Sequence, residues 1–281
     1  MKALYDVPAP AKLNLFLHIT GRRSDGYHLL QSVFMLIDWC DTLHFELRSS
    51  THISRADLGS TLPADDLTLR AARALQTATG CTQGAHLSVL KRIPAQAGMG
   101  GGSSDAASTL LALNRLWKLK LSLPELGRIG LTLGADVPFF LYGHNAWVEG
   151  IGEHITPLKN ANQLPPARFV VVKPSAGLAT KEIFSSFSLK RDSAGATIAD
   201  FTAKHYDFGR NDLQSVAQTL CPDITQAINW LASHGLHGKM TGSGSAVFAK
   251  MTQDIDFSDA PSKWQVKLCD NLTLHPLAGW A

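Results

Sequence analysis

Four glycines within five residues, followed at once by two serines, constrain this chain more than any other feature. The stretch reads Pro94-Ala95-Gln96-Ala97-Gly98-Met99-Gly100-Gly101-Gly102-Ser103-Ser104-Asp105-Ala106-Ala107. Its glycines allow positive φ and close approach of backbone to a ligand. Directly afterwards the pattern turns helical: Ala106, Leu110, Leu113 and Trp117 share a face, with Ala107, Leu111 and Asn114 beside it. Ser103 or Ser104 is the expected N-cap. A glycine loop feeding a helix N-terminus presents open N–H donors and the positive end of the macrodipole, a pairing suited to phosphate. An ordinary flexible turn before a capped helix would not need this many glycines.

The spelling excludes the commonest phosphate loops. A Walker A loop ends in Gly-Lys-Ser/Thr, and no lysine occurs between Arg92 and Lys118. A dinucleotide fingerprint begun at Gly98 fails at Ser103, where its third glycine belongs. Asp207-Phe208-Gly209 mimics a protein-kinase metal motif, but no His-Arg-Asp loop or Val-Ala-Ile-Lys strand accompanies it.

With 281 residues the chain can build one large or two medium domains. A 45% hydrophobic and 17% charged composition is that of a globular protein with a real core. The net charge of +3 is mild, and the basic pairs are scattered, so nucleic acid is not the expected partner. An anionic small substrate fits the balance. Cys40, Cys81, Cys221 and Cys269 lie too far apart for a Cys-x-x-Cys site, so free thiols in a cytoplasmic protein are expected. No apolar run reaches membrane-spanning length, so no membrane partner is expected.

Along the chain, residues 11–19 alternate as a strand with Leu13, Leu15, Leu17 and Ile19 on one face. Lys12, Asn14, Phe16 and His18 take the other, either wet or turned toward a site. Residues 21–28 form a glycine-bounded turn ending in Tyr27-His28, which either anchors the loop or offers an aromatic face and a polar edge to a nucleobase. Residues 33–47 read as strand, Asp65-Asp66 cap a helix that Gly80 stops, and residues 86–93 deliver the chain to the glycine loop. After a second helical pattern at 123–134 comes Gly134-Ala135-Asp136-Val137-Pro138, where Asp136 is either a turn residue or aimed into a site. The loosened stretch 143–166 suggests two domains, 1–155 and 156–281. Beyond it lie a strand at 169–173, Thr180 and Phe184 on one helix face, and Asn211-Asp212 as helix caps. A second glycine turn, Gly242-Ser243-Gly244, then enters a strand at 246–251.

The glycine loop resembles the central motif of the GHMP kinases. Pro10-Ala11-Lys12-Leu13-Asn14-Leu15 with Asp25-Gly26-Tyr27-His28, Leu133–Phe139, and Thr241–Ser245 are similar to one branch of that family. That branch phosphorylates the 2-hydroxyl of 4-diphosphocytidyl-2-C-methyl-D-erythritol in non-mevalonate isoprenoid synthesis. The resemblance runs from Pro10 to about Met251. It implies an α+β fold: an N-terminal α/β domain like ribosomal protein S5 and a C-terminal ferredoxin-like domain, with the active site between them.

It also implies residue roles. Asp136 would take or orient the substrate hydroxyl proton, with Lys12 its cationic neighbour. Pro94, Ala95, Gln96, Ala97, Gly98, Met99, Gly100, Gly101, Gly102, Ser103 and Ser104 would hold the phosphates of ATP. Asn14, Tyr27, His28, Thr180 and Phe184 would line the site for a cytidine-diphosphate alcohol, Tyr27 and Phe184 clasping the base while His28 reads its edge. Mg²⁺ would accompany ATP, with Ser104 one candidate ligand and no dedicated carboxylate in view. Asp66 departs from the asparagine expected in the adenine region. The expected molecule is a monomer or weak homodimer. Two other readings share these features: a homoserine- or mevalonate-type alcohol kinase, and an ATP-binding sensor without activity.

Overall fold

In the computed structural model, which describes residues 2–281, the chain forms two β-sheets whose inner faces pack on each other. The first sheet holds β1 (Ala3–Arg22), β2 (His28–Arg48), β3 (Ile53–Asp57), β4 (Gly84–Leu90), β5 (Ala146–Gly150) and β6 (His154–Pro157). Its order is β3-β4-β2-β5-β6, with β1 also paired to β2, and only the β3–β4 pair is parallel. The second sheet is antiparallel, in the order β10 (Gln265–Asp270), β7 (Arg168–Lys173), β9 (Val247–Met251) and β8 (Lys239–Met240).

Helices close both outer faces. α1 (Leu67–Thr79), α2 (Gly101–Leu116), α3 (Leu123–Leu133) and α4 (Val137–Tyr142) cover the first sheet. α5 (Thr180–Ser185), α6 (Ile198–Lys204), α7 (Gln214–Leu220) and α8 (Pro222–Ser233) belong to the second half, where α5, α7 and α8 share a core with β7 and β9. The α+β class is the one expected. The expected division at 155/156 falls inside β6, and the second sheet starts at Arg168. The C-terminal segment then returns to the first half: Leu272 N–H donates to Leu36 O, and Leu277 is buried in the first core.

β1 corrects a simple alternation. Leu13 and Leu15 enter the core between the sheets, whereas Leu17 and Ile19 enter the core of the second half. A register shift between Asn14 and Leu17 turns the strand, and Phe16 is buried with the first group. A bulge of this kind re-aims the side chains that follow it. β1 is therefore buried on both faces for most of its length, and Lys12 and Asn14 are not wet.

Two caps behave differently from the sequence pattern. Asp66 caps α1 as expected, accepting from Thr68 N (3.2 Å) and Leu69 N (3.3 Å), a contact worth about 1 kcal/mol. Gly80, at φ 65°, ends that helix. Neither Ser103 nor Ser104 caps α2. Gly100 occupies the cap position at φ 70° and the helix starts at Gly101, which puts both serines in its first turn. Asn211 does act at the entry to α7, its Oδ1 accepting from Leu213 N–H (3.0 Å), whereas Asp212 turns away from the helix. Asp212 accepts from Ile19 N–H (2.8 Å) and Ser193 Oγ–H (2.6 Å), while Asn211 donates to Met240 O and Gly242 O, each at 2.8 Å. For Asp212 the partners come from segments that only the tertiary fold brings alongside.

Candidate active site

The glycine loop and the second glycine turn close on each other. Ser245 N–H donates to Gln96 O (3.1 Å) and Ala246 N–H to Ala97 O (3.3 Å). At Gly98, where φ is 71°, a Cβ would stand 2.2 Å from Thr241 O, so nothing but glycine allows this approach. At Gly100 a Cβ would meet the Phe140 ring at 3.0 Å and Lys12 Cε at 3.3 Å. β1 is tied to the same loop by Lys12 N–H donating to Met99 O (3.0 Å).

Together they line a cavity of about 730 Å³ between the two halves. Residues 94–103 form one wall, and Thr180, Phe184 and the turn at 242–244 form the opposite one. No side chain caps α2, and Ser104 N–H donates to Gly100 O (2.9 Å). The amides of Gly101, Gly102 and Ser103 therefore stay open at the cavity they line, beside the positive end of the helix. Ser104 is fully buried and outside the lining, and its Oγ has no partner among the described residues.

Lys12 reaches this cavity from β1. Its ammonium donates to Asn14 Oδ1, lies 4.7 Å from the centroid of the Phe34 ring, and stands 3.7 Å from Asp136 Oδ2. Burial lowers its pKa, and the Asp136 charge opposes that shift. Asn14 is clamped in turn: its N–H donates to Thr241 Oγ1 (2.9 Å) and its Nδ2 to Ser32 Oγ (2.9 Å). Asn14 thus orients Lys12 as well as facing the cavity.

Asp136 sits at the N-cap of α4 without capping it. Four carboxylates line the cavity, from Asp65, Asp66, Asp105 and Asp136. Arg73 pairs with Asp65 at 2.7 Å, Arg55 engages Asp66, and Lys91 reaches Asp105 at 2.5 Å. Asp136 alone keeps a long contact, to Lys12, with its side chain 31% exposed. Of the two readings of Asp136, the geometry favours the one aimed into the site. Asp66, the departure in the adenine region, is spent on capping α1 and on Arg55.

Sequence reasoning missed a second cation. Lys91, just upstream of the loop, lines the cavity between Asp41 and Asp105. Burial opposes its charge, but the two carboxylates outweigh burial and raise its pKa. Burial pushes the Asp105 carboxyl up to about 8, with the Asp41 charge adding to it. Asp41 Oδ1 also accepts from Arg92 N (2.5 Å) and Ile93 N (2.8 Å), fixing the turn that launches the loop. The available signal was local: Lys91 lies just before the glycine loop and Asp105 just after it.

The expected base-binding residues are only partly gathered. Thr180 and Phe184 line the cavity, and Thr180 Oγ lies 2.7 Å from Ser243 Oγ. His28 packs against Phe184, ring centroids 5.2 Å apart and tilted 33°, and is not among the lining residues. Tyr27 is 60% exposed and outside it too. Asp207-Phe208-Gly209 lies elsewhere, with Phe208 packed edge-on against Phe16.

A phosphate cradle, a buried lysine and an aspartate facing it describe a small-molecule kinase. The GHMP kinases N terminal domain matches residues 66–144, and the GHMP kinases C terminal domain matches residues 196–256. The 4-diphosphocytidyl-2-C-methyl-D-erythritol kinase of Acidovorax sp. (strain JS42) is 72% identical over 280 residues, covering 100% of this chain and 99% of the relative. That of Paracidovorax citrulli (strain AAC00-1) is 70% identical over 281 residues, covering 100% and 99%. A crystal structure of 4-(cytidine 5'-diphospho)-2C-methyl-D-erythritol kinase superposes with a TM-score of 0.74 at 32% identity, covering 87% of this chain and 89% of the other. A homoserine kinase from Cytophaga hutchinsonii shares the fold at 14% identity, TM-score 0.69, covering 98% and 96%. The chain belongs to the GHMP kinases, in the branch of the 4-diphosphocytidyl-2-C-methyl-D-erythritol kinases.

Proposed function

We propose that the chain transfers the γ-phosphoryl group of ATP to the 2-hydroxyl of 4-diphosphocytidyl-2-C-methyl-D-erythritol, a step of isoprenoid precursor synthesis. The observation that carries the chemistry is Asp136, the one cavity carboxylate not engaged by a close cation, standing 3.7 Å from a buried lysine below the phosphate cradle. The choice of alcohol rests on the full-length relatives named for that activity.

The substrate hydroxyl oxygen attacks the γ-phosphorus, and its proton passes to an Asp136 oxygen. The bond from that phosphorus to the β,γ-bridging oxygen breaks, and ADP leaves. Phosphoryl transfer asks a protein for alignment and charge neutralisation more than for covalent work. Lys12 supplies positive charge at the reacting oxygens, and the open amides of Gly101, Gly102 and Ser103 hold phosphate oxygens. Phe184 and Thr180 form the wall on which the cytidine end rests, with Tyr27 and His28 its further expected partners.

The cradle fits ATP, since Gly98 lets the loop close on the second glycine turn and Gly101, Gly102 and Ser103 line the cavity at the start of α2. Mg²⁺ bound with ATP would neutralise phosphate charge. Among the described residues no cluster of three metal-ligating side chains exists, which suits an ion carried mainly by phosphates and water. Of the two loop serines, Ser103 lines the cavity, while Ser104, the candidate ligand, is buried outside that lining with its Oγ unpartnered among the described residues. We further infer a cytoplasmic enzyme, monomeric or weakly dimeric; no helix among the described residues is long and apolar enough to cross a membrane, and the four cysteines are free.

The test is ATP consumption by the purified protein across cytidine-diphosphate methylerythritol, methylerythritol phosphate, homoserine and mevalonate. Turnover confined to the cytidylated alcohol is expected. Equal use of the base-free alcohol overturns the substrate assignment, and no turnover of any alcohol overturns the kinase reading.

A further inference from the structure

Arg191 is absent from every motif in the sequence, yet it ties together two of the three ring side chains expected at the nucleobase, His28 and Phe184. Its Nε donates to His28 Nε2 at 2.9 Å. Its terminal nitrogens donate to Leu189 O (2.9 Å), Ser186 O (2.7 Å) and, more loosely, Phe184 O (3.4 Å). One guanidinium thereby spans from the start of β2 to the end of α5 and holds His28 against the Phe184 ring, which lines the cavity.

The contact carries chemical information. A guanidinium only donates hydrogen bonds, so the atom it meets must offer a lone pair. His28 Nε2 is therefore the unprotonated nitrogen. A neutral imidazole has one N–H, which must then be on Nδ1. Burial, then the Arg191 and Arg22 charges, lower the pKa of His28, so the ring stays neutral at physiological pH. Nδ1 has no partner among the described residues and is not enclosed.

We propose that Arg191 is the positioning residue for base recognition, fixing His28 as the Nδ1–H tautomer so that its imidazole presents a hydrogen-bond donor to the pyrimidine held beside Phe184. This rests on the substrate reading above and deepens it. A donor at that position selects the acceptor edge of cytosine, its N3 and O2. It cannot serve the exocyclic amine, which is itself a donor. At N3 the same donor rejects uracil, whose ring nitrogen carries a hydrogen. Phe184 supplies contact area, and the Arg191–His28 pair supplies the identity of the base.

Two measurements test this separately. The first is a long-range ¹H–¹⁵N correlation spectrum of ligand-free enzyme with ¹⁵N-labelled histidine, the His28 signals assigned by their loss in His28→Asn. The Nδ1–H pattern is expected in the wild type; a proton on Nε2 overturns the proposal whatever the substrate proves to be. The second is kinetics of Arg191→Met and Arg191→Lys. Arg191→Met should raise KM for the cytidylated alcohol about tenfold, roughly the worth of one misplaced hydrogen bond. KM for ATP and kcat should stay within about twofold, while Arg191→Lys, which keeps a donor and a charge, should recover part of the loss. A merely structural arginine would lower thermal stability and affect both substrates alike, with the His28 tautomer unchanged in Arg191→Met, and that result overturns the proposal. Should the cytidylated alcohol not be a substrate at all, the substrate reading falls by its own assay while the spectrum still reports the tautomer.

Discussion

The glycine cradle lines the cavity, the proposed base-binding rim only partly does, and the two are built by opposite means. Lys12 and Asn14 are buried, and the cradle is fixed by backbone contacts so close that Gly98 has no room for a methyl group. At the rim, Tyr27 is 60% exposed, while a single arginine holds His28 and the end of α5. The chemical step needs charges placed within tenths of an ångström before substrate arrives, because reorganisation during reaction raises the barrier. Base recognition can be completed as the ligand binds, since stacking and a few hydrogen bonds tolerate adjustment. The difference predicts that mutations at the cradle act on turnover or nucleotide, and mutations at the rim act on the alcohol substrate.

Asp136→Asn should give the largest effect. Removing the proton acceptor should lower kcat by about 10²–10⁴-fold with folding and ATP affinity nearly unchanged. A variant that keeps half the wild-type kcat would take Asp136 out of the mechanism and leave the cradle as a binding site only.

At the rim, Tyr27→Ala should raise KM for the cytidylated alcohol roughly 5- to 150-fold, the range given by about 1–3 kcal/mol of stacking. KM for ATP should barely move. If the steady-state kinetics show ATP affected instead, the two regions are not separate in function, and Tyr27 belongs to the nucleotide side.

A smaller effect is expected from Gly100→Ala. The residue holds φ 70°, and its new methyl would press on Phe140 and Lys12. A left-handed conformation costs a non-glycine residue about 1–2 kcal/mol, so affinity for a non-hydrolysable ATP analogue should fall roughly 5- to 30-fold. Calorimetry showing unchanged nucleotide affinity in a folded variant would mean that the loop is a structural turn.

The sequence by itself determined the parts whose cause is local. Glycine spacing marked the cradle, Asp66 and Gly80 marked the ends of α1, and the family motifs identified Lys12 and Asp136. Thr180 and Phe184, placed on one helical face by their spacing, do reach the cavity together. Tertiary structure decided the rest, because the deciding partners are far away in the chain. The bulge in β1 divides one expected face between two cores. Asp212 leaves its helix for Ile19, and Asn211 adds Gly242 to its local bond with Leu213. Lys91 finds its carboxylates at Asp41 and Asp105, and Arg191 finds His28 across 163 residues. Periodicity and capping act within a few residues and can be read from spacing. A buried charge must instead be matched by whatever the fold brings near, since leaving it unpaired costs more than any local preference returns.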